Sequence, residues 1–167
     1  GKTPITTTSA IRMVLDKAAT VDEAVELLKK YDMNSSGDTG YHFQIAAANG
    51  DTAIVEYIDN EMHVLSKEDG HTAATNFVLY NNMNSGHGQD RYEKIKEKQK
   101  ETDNIMTEDE AMDLLLSVPA QSTREIDGSD EGLPSDTQCS CVYNLDDLTL
   151  QICTTRDKNR TYNYSLK

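Results

Sequence analysis

The sequence predicts an α+β fold in which antiparallel sheets carry helices packed against them. A run rich in Ile, Val, Phe and Tyr between Tyr41 and Phe77 is interrupted by turn-forming dipeptides, as in an antiparallel meander. Two segments with helical periodicity precede this run and two more follow it. Three strand-like segments then close the chain. Because strands and helices do not alternate, we expect no strand–helix–strand units.

The first two helices are predicted from caps and apolar spacing. Thr6 to Ser9 supplies candidate amino-terminal caps for the first helix. Its predicted apolar face consists of Ile11, Val14, Leu15 and Ala18. Thr20 to Glu23 has the Thr-x-x-Glu pattern of a capping box and opens the second helix. The apolar face of that helix is predicted to be Val21, Ala24, Val25 and Leu28. A polar loop, Asn34 to Asp38, leads to the sheet.

The central meander has four predicted strands joined by short turns. Asn49-Gly50 is the dipeptide best able to adopt positive φ at both centres of a two-residue turn, so it marks the first hairpin. Asp59-Asn60 supplies the second turn, before a third strand from Met62 to Leu65. Glu68 to Gly70 supplies the third turn, and His71 to Phe77 is predicted to be the fourth strand.

The segment after the meander begins with a loop and continues into two helices. Asn81 to Gly88 is too rich in Gly and Asn to form a regular element, and long loops beside sheets often carry sites. Gln89 to Asp103 predicts a highly charged surface helix. Thr107 to Glu110 is another capping box, and Pro119 ends the helix that it opens. The residues predicted to face inward on this helix are Ala111, Leu114, Leu115 and Val118.

The remaining chain predicts an acidic loop followed by three strands. The loop runs from Ser122 to Asp136, and the strands from Thr137 to Asn144, Leu148 to Thr154 and Thr161 to Leu166. The last two strands alternate in hydrophobicity, which places Leu148, Leu150, Ile152, Tyr162, Tyr164 and Leu166 at the apolar positions.

Size and charge limit the function classes. A chain of 167 residues is long enough for one domain with a real core, so we predict a single domain over residues 1–167. A net charge of -13 argues against nucleic acid or an anionic membrane as a partner. No apolar run approaches the roughly 20 residues that span a bilayer, which predicts a soluble protein. Cytoplasmic and secreted bacterial locations both stay open.

The sequence contains no motif for a metal or a cofactor, so none is expected. The four histidines are scattered, and each is expected to be a surface or structural residue. Cys139 and Cys141 are two residues apart on one strand and point to the same face, which disfavours a disulfide between them. Together with Cys153 they are interpreted as buried, reduced thiols.

The order of short motifs along the chain carries a family resemblance. These motifs are Thr6-Thr-Thr8, Ile11-Arg12, Thr20 to Ala24, Tyr41-His-Phe43, Gly50 to Glu56, Thr75-Asn-Phe77, Gly88 to Tyr92, Asp136-Thr-Gln138, Val142-Tyr-Asn144 and Tyr162 to Leu166. Their order resembles the carboxy-terminal part of the choloylglycine hydrolase family. Its members are linear amide hydrolases, including bile salt hydrolases and penicillin V acylases, with acyl-CoA:6-aminopenicillanic acid acyltransferases as relatives.

The resemblance implies an N-terminal-nucleophile fold, a four-layer αββα sandwich whose first residue is a nucleophilic cysteine. By this resemblance Asn76 is the donor that stabilises the tetrahedral oxyanion, and Arg91 is the arginine beside the nucleophile. Ordinary structural roles stay open for both residues. Asn76 could satisfy backbone groups at a strand end, and Arg91 could be a solvated helix-start residue that pairs with Asp90. Glu56 could equally be a surface acid at a strand end.

The family's nucleophilic segment has no counterpart here, since position 1 is glycine. We therefore expect that this polypeptide alone does not hydrolyse amides. The expected partners are an amino-terminal segment or subunit carrying the cysteine, and a small-molecule amide substrate. An apolar sheet face left exposed also allows a homo-oligomer. The alternative function is a non-catalytic α+β protein-interaction module.

Overall fold

The structure is a computed structural model that describes residues 1–34, 41–66, 72–122 and 135–167. These residues form two compact units, Gly1–Gln89 and Asp90–Lys167. No helix within the described ranges is both long and apolar enough to cross a membrane. The predicted turn at Glu68 to Gly70 and most of the two predicted loops after Asn34 and Ser122 lie outside these ranges. The single domain predicted for residues 1–167 stays a prediction.

The first unit begins with two helices placed between two short strands. Helix α1 spans Thr7–Lys17 and helix α2 spans Val21–Leu28. Strands β1 (Thr3–Thr6) and β2 (Tyr31–Asn34) hydrogen-bond to each other in parallel. The prediction of no strand–helix–strand unit is therefore wrong here. Strands of four residues are too short to show a period in the sequence, so their pairing could only be seen in the fold.

An antiparallel sheet follows these elements in the first unit. Its strands are β3 (Tyr41–Ala46), β4 (Thr52–Ile58) and β5 (Glu61–Ser66), with β4 in the centre. One face of β4, including Val55 and Tyr57, joins α1 and α2 in the hydrophobic core. The fold class predicted from the sequence, α+β with helices packed on antiparallel sheets, is confirmed.

Both helices of the first unit begin where the caps predict. The Thr6 hydroxyl oxygen accepts from the backbone N–H of Ser9 at 3.4 Å, and Thr20 and Glu23 form the reciprocal capping box. The buried face of α2 is the predicted one, and it consists of Val21, Ala24, Val25 and Leu28.

The predicted apolar face of α1 is only partly correct, since Val14 packs against the core but Ile11 and Leu15 do not. Ala10 and Met13 are its buried residues, whereas Ile11 is 50% exposed and Leu15 is 73% exposed. Ala10 and Met13 also share helical spacing, so the sequence fits two faces. The small side chain of Ala10 lets the helix approach its neighbours closely, which favours the observed face.

The first hairpin turn differs in type from the prediction, while the second lies where it was predicted. Of Asn49-Gly50, only Gly50 has positive φ, at 84°. Ala47 N–H donates to the Asp51 carbonyl at 3.0 Å, which closes a three-residue loop in place of a two-residue turn. Asp59 and Asn60 both have positive φ, at 49° and 65°, and form the two-residue turn between β4 and β5.

The predicted fourth strand is wrong in its described part. Thr72 to Asn76 pairs with no strand among the described residues. Phe77 instead forms an isolated antiparallel bridge with Gly86, farther along the same loop. The Thr75 hydroxyl donates to the carbonyl of Gly88 at 2.9 Å. The segment therefore does not extend the β3–β4–β5 sheet.

The second unit combines two helices with a second antiparallel sheet. Helix α3 spans Gln89–Glu101 and helix α4 spans Glu108–Ser117. The remaining strands are β6 (Gln121–Ser122), β7 (Ser135–Asp136), β8 (Cys139–Asn144), β9 (Thr149–Thr154) and β10 (Thr161–Ser165). Strands β8, β9 and β10 form the sheet with β9 in the centre, and β6 pairs with β7. The capping box at Thr107 and Glu110 is confirmed.

Helix α4 is attached to the sheet by its first residue. One carboxylate oxygen of Glu108 accepts from the Asn144 amide at 2.9 Å and from the Thr149 hydroxyl at 3.2 Å. The predicted inward face of α4 is only partly correct. Val118 is buried but Leu115 is exposed, and the deepest residue is Met112, which was not predicted to face inward.

The predicted apolar face of β9 and β10 is not the buried one. Gln151 and Cys153 are buried in β9, while Tyr162 and Tyr164 of β10 are exposed. Leu150 lies opposite Tyr164 on one neighbouring strand and opposite Tyr143 on the other. The sheet therefore presents an exposed face, which we call the tyrosine face, formed by Tyr143, Tyr162 and Tyr164.

The three cysteines are free, and only Cys153 is buried. Its thiol lies 3.3 Å from the carbonyl oxygen of Asp157. Cys141 is half-buried, and burial together with neighbouring Cys139 raises the pKa of its thiol. Cys139 is exposed, so the interpretation of all three as buried thiols is wrong for this residue.

Candidate functional site

Asn76 lies on a loop that crosses the second face of the β3–β4–β5 sheet. We call residues Thr72 to Gly88 the Asn76 loop. The side-chain amide of Gln44, on β3, donates to the hydroxyl of Thr72 at 3.0 Å and to its carbonyl at 3.2 Å. These bonds fix the beginning of the loop on the sheet face opposite the core.

The backbone around Asn76 is held by bonds within the loop. The Asn76 carbonyl accepts from the His87 N–H at 2.9 Å. Val78 N–H donates to the Ser85 carbonyl at 2.8 Å, and Asn84 N–H donates to the Val78 carbonyl at 3.1 Å. The Asn76 side chain itself is exposed, while Phe77 beside it is buried. The carboxamide therefore projects from a backbone that is ordered on both sides of the loop.

Gly86 allows the two sides of the loop to approach. Its φ is 119°, a conformation that L side chains rarely adopt. A Cβ atom at this position would lie 2.3 Å from the carbonyl oxygen of Asn76 and 2.8 Å from the Cα of Phe77. Glycine is thus required here both by backbone conformation and by contact with the residue that carries the candidate amide.

A buried carboxylate holds the loop from below. Glu56, in the centre of β4, is only 2% exposed. One of its oxygens accepts from the backbone N–H of Leu79 at 2.9 Å, and the other accepts from the N–H of Tyr80 at 2.8 Å. The alternative that Glu56 is a surface acid at a strand end is therefore wrong.

Two histidines flank Glu56 on the same sheet face. The strand register places His42 opposite Glu56 on one side and His63 opposite it on the other. His42 Nδ1 lies 3.5 Å from a Glu56 oxygen, and the His63 ring stacks on that of Tyr80 with centroids 3.8 Å apart. Leu79 and Tyr80, just beyond Asn76, are therefore held by hydrogen bonds to Glu56 and by stacking of Tyr80 on His63.

Arg91 is the third residue of α3 and is half-buried. A cation in the first turn of a helix is opposed by the helix dipole, so helix stability does not account for this residue. Its planar guanidinium carries five N–H donors suited to anionic groups. Asn76 belongs to the first unit and Arg91 to the second. Their predicted roles at a common site stay predictions.

The described groups suit stabilisation of a developing negative charge. An asparagine amide carries two N–H donors, and a fixed backbone lets it bind an oxyanion with little reorganisation. Within the described ranges no group of three or more His, Cys, Asp or Glu side chains is placed to hold a metal ion.

The supporting roles of two residues were missed by reasoning from the sequence, and only one of the two residues left a signal there. Glu56 stands between Val55 and Tyr57 in a strand without alternation, and a charge in such a run must be paired if the strand is buried on both faces. Gly86 lies among polar loop formers, where nothing in the sequence distinguishes it from Gly88. Its contact with Asn76 is visible only in the structure.

The chain is similar to known proteins in both sequence and fold. Residues 2–159 match the sequence profile of the acyl-coenzyme A:6-aminopenicillanic acid acyl-transferase family. Among proteins of curated function, none matches the sequence significantly. The fold is similar to that of a mutant of the conjugated bile acid hydrolase from Clostridium perfringens, with a TM-score of 0.69 and 17% identity.

The chain spans 64% of the length of that hydrolase, and 99% of the chain is covered by the match. At this identity the similarity shows the fold, which is that of the N-terminal-nucleophile hydrolases. The family itself is shown by the sequence, because the match extends over most of its length. The chain belongs to the acyl-coenzyme A:6-aminopenicillanic acid acyl-transferase family.

Proposed function

We propose that this chain is the carboxy-terminal part of a cysteine N-terminal-nucleophile hydrolase that cleaves linear amide bonds. The thiolate attacks the amide carbonyl carbon, the C–N bond breaks, and the amine leaves with a proton held by the terminal amino group. Water then attacks the thioester carbonyl carbon, the C–S bond breaks, and the carboxylic acid and the free thiol are released. In both steps Asn76 donates to the oxyanion, and Arg91 stabilises the thiolate.

The observation that carries this proposal is the geometry of the Asn76 loop. An exposed carboxamide extends from a backbone fixed by His87, by the close approach of Gly86 and by the anchor at Glu56. The alternative role, in which Asn76 satisfies backbone groups at a strand end, requires a strand that ends at this residue. Asn76 follows a segment that forms no strand within the described part of the chain.

The proposed nucleophile lies outside residues 1–167. Cys139 and Cys141 lie within β8 and Cys153 within β9. None of them has the free amino group that an N-terminal nucleophile uses as its base. The proposed nucleophile is a cysteine at the start of an amino-terminal segment or subunit, which supplies the part of the fold that the chain does not span.

The test uses the longer polypeptide with cysteine as its first residue. Penicillin V, conjugated bile salts and N-acyl amino acids are offered in parallel, and the acyl-thioester is trapped by rapid acid quenching and detected by intact mass. Asn76→Ala is expected to lower kcat by about 100-fold to 1,000-fold, because it removes an oxyanion donor. Ser85 is an exposed polar residue of the same loop, so Ser85→Ala is the matched control. Equal turnover in Asn76→Ala and the parent enzyme would remove the assigned role.

The tyrosine face supports the same proposal. Tyr143, Tyr162 and Tyr164 are exposed on one side of a sheet, and a cluster of exposed aromatic side chains is typical of an interaction surface. We assign this surface to the amino-terminal segment. The alternative function, a non-catalytic interaction module, would use the same surface for a separate partner. A peptide map of the purified protein distinguishes them, since only a hydrolase requires a polypeptide that begins with cysteine.

A further inference from the structure

Glu56 is a buried carboxylate that takes no part in the proposed reaction. It lies in the central strand of the sheet, on the face opposite the hydrophobic core, beneath the loop that carries Asn76. We propose that Glu56 is a positioning residue that fixes the Asn76 carboxamide by holding the backbone of Leu79 and Tyr80. This inference rests on the proposed function, because it deepens the role assigned to Asn76.

The two carboxylate oxygens act on adjacent residues of one loop. Each accepts a separate backbone N–H, from Leu79 at 2.9 Å and from Tyr80 at 2.8 Å. Two bonds from one rigid group fix both the position and the direction of this dipeptide. His63 stacks on the Tyr80 ring at 3.8 Å, so the same dipeptide is also held through its side chain.

The restraint is transmitted to Asn76 through two residues that cannot move independently. Phe77 is buried and bridges to Gly86, and Val78 exchanges backbone bonds with Ser85 and Asn84. Between Asn76 and the Glu56 anchor, backbone hydrogen bonds therefore hold Asn76, Val78 and Leu79. A shift of Leu79 away from the sheet must displace the backbone that orients the Asn76 side chain.

Stability alone does not account for a carboxylate at this position. Burying a charge costs solvation, and well-packed apolar residues often serve a core equally well or better. Neighbouring Ile54 and Val55 are buried apolar residues of the same strand. What only the carboxylate offers is a pair of acceptors for two adjacent N–H groups. That capacity is useful where a loop must be held in one conformation.

The first test measures the anchor without any chemistry. In the full-length protein, Glu56→Gln leaves one acceptor oxygen and introduces an N–H group that faces a donor. Amide hydrogen exchange of Leu79 and Tyr80, measured by NMR, is expected to become at least tenfold faster. Val55→Ala is the matched control, because it weakens the same strand on its opposite face. In that variant, the exchange of Leu79 and Tyr80 relative to other first-unit amides should stay as in the parent.

The second test asks whether the anchor acts through Asn76. Glu56→Gln is expected to lower kcat by about 10-fold to 100-fold with little change in KM, since a small misplacement of an oxyanion donor acts in the transition state. The Asn76→Ala, Glu56→Gln double variant should be no slower than Asn76→Ala alone. Glu56→Asp, which keeps two acceptors on a shorter stem, should recover part of the lost kcat.

The outcomes separate this inference from the function on which it rests. Unchanged exchange at Leu79 and Tyr80, or effects of Glu56→Gln and Asn76→Ala that simply multiply, would overturn the positioning role while leaving the amidase intact. If the parent protein cleaves no amide, the proposed function fails. The catalytic role of the anchor then fails with it, although the exchange data would still show whether Glu56 holds the loop.

Discussion

Gly86→Ala should destabilise the first unit more than Gly50→Ala. The φ of 119° is unfavourable for an L residue, at a cost of about 1–2 kcal/mol. The new Cβ would also lie 2.3 Å from the Asn76 carbonyl oxygen, which is backbone and can move only with the loop. Forcing such overlap in a packed site typically costs about 1–3 kcal/mol. The expected loss of unfolding free energy is therefore about 2–5 kcal/mol.

Gly50→Ala is the matched control for this experiment. Gly50 also has positive φ, at 84°, but nothing lies within 4 Å of the position its Cβ would take. Its replacement should cost only the conformational term of about 1–2 kcal/mol. Urea denaturation followed by far-UV circular dichroism measures both, and both residues report on the same unit. If Gly86→Ala costs no more than Gly50→Ala, the contact with Asn76 does not constrain the loop.

Two further predictions concern titratable groups. Burial, and to a lesser extent the neighbouring Tyr41, raises the pKa of Tyr57 from 10.0 to about 12. Because the folded protein favours the protonated phenol, it should lose stability as the pH rises from about 10 to 12. The Tyr57 hydroxyl has no hydrogen-bond partner among the described residues. Tyr57→Phe should therefore keep or slightly raise the stability at pH 7 and reduce the loss of stability at alkaline pH. Urea denaturation midpoints at several pH values measure both effects. A parent and variant with identical alkaline curves would contradict this. Thiol labelling should modify exposed Cys139 first, Cys141 more slowly because its pKa is raised, and buried Cys153 only on unfolding, which peptide mapping of timed samples can check.

The sequence predicted elements best where the signal was local. The capping boxes at Thr20 and Thr107 depend on residues three apart, and both helices begin where predicted. Faces and pairings were predicted less well, because they depend on what a segment packs against. Ile11 is exposed for this reason. The fourth strand failed because bonds such as that between Thr75 and Gly88 replaced sheet pairing.

The candidate site shows the same division. The motif around Asn76 could be located by its resemblance to a family, and Arg91 likewise. The residues that support Asn76 could not be located in this way. Glu56 contacts a dipeptide more than twenty residues away in the sequence, and Gly86 acts through contact with the backbone of Asn76. Such supports are set by distances in space and leave only indirect traces in the order of residues.

The parallel pairing of β1 with β2 has a consequence for folding kinetics. Strands β4 and β5 can zip together from the Asp59-Asn60 turn, whereas β1 and β2 meet only after α1 and α2 have folded back between them. The pairing of β1 with β2 should therefore form after the rate-limiting step of folding. Substitutions in β1 would then accelerate unfolding with little effect on folding, while a poor turn at Asp59-Asn60 would slow folding itself.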